Sequence, residues 1–305
     1  MSARLVEGAG SAPFAPDETL GNLVDDVLTV LQGHGVVTDQ MCSTSGNITA
    51  ADTTIPLDDG DAVSRGVIEV GEELIFVTGS QNGQATAPAW GRGFKGTKAK
   101  AWPKGTRVTV APVYPRSIVR RAVRQAIYAL SPFLFAVKSV TYRASNISEW
   151  YALPPDAERV LFADWTPSGA VGPVPVRHWE MRHGTPECVD GEKLVRLPVC
   201  GGALVVQYAA APAPPTTDEG LLKDMGLPAS TRDVIVLGAA LNLLPWLDAA
   251  RLPTDTVPSD AEDQAKPVGS ATAVARDLRS QYTAALQRER AALLGRFPVP
   301  IHGIR

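Results

Sequence analysis

Gly91-Arg92-Gly93-Phe94-Lys95-Gly96 spells G-x-G-x-x-G, a spacing that can bring backbone close to a pyrophosphate. That chemistry needs a strand before the glycines and a helix after them, so that the helix N-terminus meets the phosphates. Here Thr97-Lys98-Ala99-Lys100-Ala101-Trp102-Pro103 follows inside a strand-rich stretch, and Pro103 blocks a helix of useful length. A glycine-rich hairpin or loop is the better reading, and no cofactor is expected. His34, His178, His183 and His302 are scattered over a helix end, a strand, a turn and the tail, and none pairs at metal-ligand spacing. Asp58, Asp59 and Asp61 surround Gly60 but lack the twelve-residue calcium pattern with its closing Glu, so they read as solvated turn acids. Cys42, Cys188 and Cys200 form no C-x-x-C, and their odd number argues against a disulfide framework. Cys188 and Cys200 flank a hairpin-like stretch, where half-buried thiols are favoured over a cross-strand pair. G-x-S-x-G, H-E-x-x-H and Walker-type loops do not occur. Nothing sets a nucleophile beside a base and an orienting group. The chain reads as non-enzymatic, with no catalytic, cofactor or metal residues.

The elements follow from hydrophobic period. Residues 1–16 are rich in Gly, Ala and Pro and read as a loose arm. Leu20, Leu23, Val24, Val27, Leu28 and Leu31 recur at helical spacing and predict a first helix over about 17–33, within a core segment 17–35. Residues 48–112 switch to strand period, with turns at Asp58-Asp59-Gly60 and Asn82-Gly83, and predict a small barrel or compact sheet. Pro115 opens a second helix within 115–132, apolar on one face and carrying Arg116, Arg120, Arg121 and Arg124 mainly on the other. Residues 136–210 return to strand at 137–142, 159–164, 174–181, 193–197 and 204–208, which predicts a β-sandwich. The Pro-rich joint at 211–215 precedes C-terminal helices within 217–294: a short one capped by Thr217, one from Ser230 to Pro245, and a long one from Ser270 to Leu294. The expected fold is therefore α+β, a helical domain with two inserted β-rich modules.

Among 305 residues, 29 Lys+Arg oppose 32 Asp+Glu, a net charge of −3 that gives no whole-chain drive toward nucleic acid or anionic membrane. No apolar run reaches the roughly 18 residues of a bilayer span, and the start shows no signal segment, so a cytosolic product is expected. The charges are uneven. Residues 15–75 hold twelve acids, Asp25 and Asp26 among them, and a single base. Residues 271–305 hold six arginines, including Arg276, Arg279 and Arg288, against two acids. Such ends suit head-to-tail association of copies, with Asp25 and Asp26 of one against those arginines of the next. The tail, 295–305, alternates Phe297, Val299, Ile301 and Ile304 with Pro298, Pro300 and Gly303, between Arg296 and Arg305. An extended apolar peptide with basic ends suits docking into a partner's groove, or onto its own domain.

Three stretches now add up: Asp52–Leu57 with Gly66–Val77 and Gly91–Thr97, the Pro115 helix, and the long final helix with its tail. The chain resembles the head-to-tail connector (adaptor or neck) proteins of tailed bacteriophages, in the long form of actinobacterial siphophages. The resemblance touches about half the chain. It implies a virion protein of the head-tail junction, made in the host cytoplasm. It implies a ring, usually of twelve copies, under the portal protein, with a stopper or next neck protein below and genomic DNA passing through without specific binding. Portal docking falls on Arg296, Phe297, Val299, Ile301, Ile304 and Arg305. DNA must slide, so Arg120, Arg121 and Arg124 are expected to face protein rather than the bore. The two β-modules exceed a simple adaptor. They leave room for another neck, tail or baseplate position, or for a carbohydrate-binding adhesion protein using Trp90, Trp102, Trp165 and Trp179.

Overall fold

The computed structural model describes residues 13–33, 39–60, 63–144, 148–183, 193–251 and 270–297. The chain forms two compact units, one drawn from Leu23–Val123 and Ala239–Arg276, the other from Met1–Asn22, Arg124–Gly238 and Asp277–Arg305. Helices and sheets occur together, and the fold class is α+β. Helix α1 (Leu20–Gly33) buries all six residues of its predicted apolar stripe. Ahead of it, the Asn22 side chain accepts the Thr19 N–H at 2.8 Å, satisfying a donor at the helix entrance.

In the first unit, strands β1 (Gln40–Ser43), β2 (Thr54–Pro56), β3 (Gly66–Val70), β4 (Glu73–Val77), β5 (Gly79–Gln81), β6 (Gln84–Thr86) and β7 (Arg107–Val110) form two antiparallel sheets. Their orders are β1-β7-β3-β4 and β2-β6-β5. Asn82 and Gly83, both at positive φ, make the two-residue turn between β5 and β6, a backbone that suits tight hairpins. Strand alternation sends Ile68 and Val70 of β3, with Ile75 and Val77 of β4, into a core shared with Ile55, Ala85 and Val108. The expected barrel does not close. A loop lies along the outer edge of β4, where Gly91 accepts the Phe76 N–H at 2.8 Å. The outer edge of β1 is capped where Asp58 accepts the Ser43 N–H at 2.7 Å. Edge groups are thus satisfied by loops rather than by a closing strand. Helix α2 (Arg116–Tyr128) begins where the Glu69 carboxylate accepts the Arg116 N–H at 2.7 Å, a cap supplied by β3.

In the second unit, β8 (Ala136–Arg143), β9 (Trp150–Leu153), β10 (Ala157–Thr166), β11 (Val174–Pro175), β12 (Glu180–His183), β13 (Lys193–Arg196) and β14 (Ala203–Ala210) make sheets ordered β11-β10-β14-β8 and β12-β13-β9. One core joins residues of both, including Tyr151 and Val195 from the smaller sheet and Val160, Leu204 and Val206 from the larger. That is sandwich packing.

The short helix expected from Thr217 to Leu222 is absent. The backbone there pairs instead with the start of the chain: Leu20 N–H reaches Gly220 O at 3.0 Å, Gly21 N–H reaches Asp218 O at 2.9 Å, and Leu222 N–H reaches Glu18 O at 2.9 Å. Those bonds hold 218–222 out of helical conformation, and only a 3-10 turn at Leu222–Met225 follows. Of the expected loose arm, Pro13 pairs with Pro228 and Phe14 is buried. Helix α3 (Arg232–Arg251) continues past Pro245, where the sequence predicted its end. Proline loses one backbone donor, but helical bonds on either side can carry the element through. Helix α4 (Ser270–Arg296) is the longest among the described residues, at 27 residues.

Candidate functional site

Helix α4 is seated by a narrow stripe. Leu278, Ala285, Glu289, Leu293 and Phe297 are buried, while Arg276, Arg279, Arg290 and Arg296 are exposed. Within the second unit, the Tyr282 ring packs on Gly238 of α3, where an added Cβ would come within 3.1 Å of it. Burial there raises the Tyr282 hydroxyl pKa. Glu289 is the stripe's only acid, and its carboxylate accepts from Ser230 Oγ at 2.5 Å. Phe297 closes the stripe. Its ring meets Phe135 at 6.1 Å, edge-on, and Phe162 at 5.7 Å, while the Arg159 guanidinium sits 4.5 Å from the centroid of the Phe135 ring. Beside it opens a cleft of about 370 Å³. Val137, Ser139 and Gln207 of the larger sandwich sheet line it, together with Lys223, Leu227, Leu293 and Arg296.

Among the expected docking residues, the structure brings Arg296 and Phe297 onto the sandwich. Val299, Ile301, Ile304 and Arg305 lie outside the described residues. Among the inter-subunit candidates, Asp25 is ion-paired with Arg116 of its own chain. Asp26 is half-buried and Arg276 and Arg279 are exposed. Arg288 approaches Asp233 at 3.7 Å and Glu289 at 3.5 Å. Arg120 pairs with Glu72 of its own chain at 3.2 Å, Arg121 is exposed and Arg124 is half-buried.

The glycine motif builds a clasp that sequence reasoning missed. Glu73 is fully buried and accepts from Arg92 Nε at 2.7 Å, the second Arg92 nitrogen at 2.9 Å, Gly93 N–H at 3.0 Å, Trp102 Nε1 at 3.0 Å and Lys100 N–H at 3.2 Å. Burial alone would raise its pKa, but these donors hold it below the ordinary carboxylate value. Gly91 runs so close to β4 that a Cβ would lie 2.5 Å from the Phe76 carbonyl, and Gly93 sits at φ +61°. The glycines therefore serve a close backbone approach, and no helix follows them for a phosphate. Arg92 between two of them gave no local signal, because a guanidinium suits a phosphate as well as a buried carboxylate.

Glu69 is the other buried acid among the described residues of this unit. Burial pushes its carboxyl up to about 7, against the Arg116 N–H and the charges of Arg116 and Arg107, while Asp39 adds to the rise. The ordinary value is 4.5, so between that pH and about 7 the unfolded chain has released a proton that the fold retains. This group's contribution to stability accordingly falls as pH rises through the window, by about 1.4 kcal/mol per unit of displacement, and is flat above it. Glu69→Gln should flatten that fall, gaining on the wild type at pH 8 relative to pH 5. Thermal unfolding at both pH values reads it.

His178 is exposed, and His34, His302 and Cys188 lie outside the described residues. Cys42 is pushed up to about 11 by burial and by Asp58 and Asp59, while Cys200 is exposed. Among the described residues, no group of three His, Cys, Asp or Glu could hold a metal, and no helix is long and apolar enough to cross a membrane. Trp102 is bonded to Glu73, Trp165 donates to Gly201 O at 2.6 Å, and Trp179 packs on the sandwich core. Trp90 is 63% exposed.

No family model matches the sequence, and no curated protein matches it. Among solved structures, a chain from the neck of an empty GTA particle computed with C6 symmetry is similar over 63% of this chain and 83% of that one, at 16% identity and a TM-score of 0.23. At that identity no residue role of the neck chain is carried onto this one.

Proposed function

We propose that this chain is a structural subunit of the head-tail junction of a tailed phage-like particle. It would form an adaptor ring, with DNA passing through its centre, between the portal and the next neck protein. The observation that carries the reading is α4. A long helix is fixed by a narrow buried stripe, is locked at its end by Phe297, and leaves an arginine-bearing face open. The apolar, proline-spaced segment 298–305 therefore starts from a defined point on the protein, where a partner's groove can receive it. Exposed arginines beside such a peptide steer it to an acidic neighbour. The resemblance noted in the sequence makes that neighbour the portal.

The test is a chain ended after Phe297, mixed with purified portal rings. Its unfolding temperature should match the full chain within about 1 °C, because the buried ring stays. Its portal binding should be lost. Undiminished binding by the shortened chain overturns the docking role, and density for the chain elsewhere in a virion map overturns the adaptor position.

A further inference from the structure

Trp90 is the most exposed aromatic among the described residues, and it is not isolated. It stacks on Phe76 at 5.0 Å and 25°, and Phe94 tilts against both rings, at 5.6 Å from Phe76 and 6.3 Å from Trp90. Phe76 and the loop that carries Trp90 and Phe94 lie at the β4 edge of the sheet β1-β7-β3-β4. One face of the Trp90 ring is used against Phe76, and most of the rest meets solvent. A rigid exposed aromatic of this kind is the usual anchor of a binding surface. The surroundings are basic: residues 88–107 contain six Lys and Arg and no acid. Arg92 and Lys100 are committed to Glu73 and Glu72, but Lys95 and Lys98 are exposed and in no ion pair among the described residues.

The opposite edge of the same sheet has the complementary character. Strand β1 ends it, with Met41 54% exposed and Val113 43% exposed, close to Asp39. The turn with Asp58 and Asp59 caps that edge, and the exposed Asp59 carboxylate is in no ion pair among the described residues. Three ladder spacings of about 4.8 Å separate the two edge strands, so one copy cannot bring its own patches together. A contact between unlike patches of identical chains is heterologous and propagates from copy to copy, closing into a ring when the rotation allows.

We propose that Trp90, Lys95 and Lys98 of one copy dock on Met41, Asp59 and Val113 of a second copy of this chain. The joint rests on the ring reading above only for the expectation that propagation closes. Its partner follows from complementarity: an apolar, acidic edge is what a basic aromatic patch fits, and the chain itself carries one.

The mass of the purified full-length chain, measured over a range of concentration and salt, tests it. Self-association should rise with concentration and weaken with salt. Trp90→Ala should lower the association constant about thirtyfold, while losing the stack on Phe76 lowers the unfolding temperature only slightly because most of the ring already meets solvent. Lys98→Glu and Asp59→Lys should each lose association, and the double variant should regain it, which a folding defect would not do. A monomer at every concentration overturns the joint, as does association of the single variants at wild-type strength. Glycans that quench Trp90 fluorescence in a chain that stays monomeric overturn it in favour of a sugar site. Portal binding plays no part in this readout, so the joint and the neck reading fail separately.

Discussion

Replacing Arg92 by alanine should cost the small β-module about 3–5 kcal/mol, the size expected when one partner of a buried ion pair is removed. Glu73 has no solvent exposure, and Arg92 supplies two of its five donors. The same guanidinium also donates to Thr49 O at 2.6 Å, Asp52 O at 2.8 Å and Lys100 O at 2.9 Å. Alanine would strand a carboxylate and three carbonyls together. Urea unfolding followed by Trp fluorescence reads the loss, because Trp102 donates to Glu73 directly. The pH dependence should invert as well. In the wild type the folded pKa lies below 4.5, so this carboxylate's stabilisation is present above that value and is lost as pH falls through the folded pKa. Without Arg92, burial would dominate and protonation would favour the fold, so acid would relieve part of the defect. Arg92→Lys should rescue little, since an ammonium cannot present the fork that spans Glu73 and the carbonyls. A variant as stable as the wild type would show that the loop, not the pair, holds the β4 edge.

The parts of this fold that sequence period reaches are those in which one face alone is buried. Leu20 to Leu31 of α1 and Ile118 to Leu130 around α2 repeat at helical spacing because a single stripe meets a core. Strands β3 and β4 send one alternating set, Ile68, Val70, Ile75 and Val77, into the core, but Glu69 and Leu74 of the other set are buried as well, as is Glu73 at the start of β4, and a pattern reading assigns the two acids to solvent. Their partners lie 47 and 19 residues away in Arg116 and Arg92, and no local rule links such distances. Strand β1 is too short and polar to register, and β9 is a four-residue strand beside a turn. The predicted strand over 174–181 is two strands in different sheets, β11 and β12, because a period of two does not say which sheet a residue joins. The segment 218–222 failed as a helix because its backbone groups were taken by residues 18–21, a long-range claim invisible to capping signals. The G-x-G-x-x-G motif marked a real backbone demand, close approach without side chains, but the same demand arises at a strand edge as at a phosphate.

Phe297→Ala should destabilise the second unit by about 3 kcal/mol, at the lower end for a buried phenylalanine because the site lies at a helix end. The ring is 9% exposed and touches Phe135 and Phe162, so its loss opens a hole bounded by two aromatics and the Arg159 guanidinium. At about 2–4 °C per kcal/mol, a drop of roughly 6–12 °C is expected in the unfolding transition. Phe297→Leu should recover part of it by refilling the hole without the ring contacts. Compared with the chain ended after Phe297, this variant separates two roles that the sequence merged into one tail. The shortened chain keeps the anchor and lacks the peptide; Phe297→Ala keeps the peptide and lacks the anchor. If both lose portal binding but only the alanine variant loses stability, Phe297 acts by fixing the point from which the docking peptide departs. If Phe297→Ala binds portal rings with unchanged affinity while its unfolding temperature falls, the anchor serves the fold alone, and the peptide needs no fixed start.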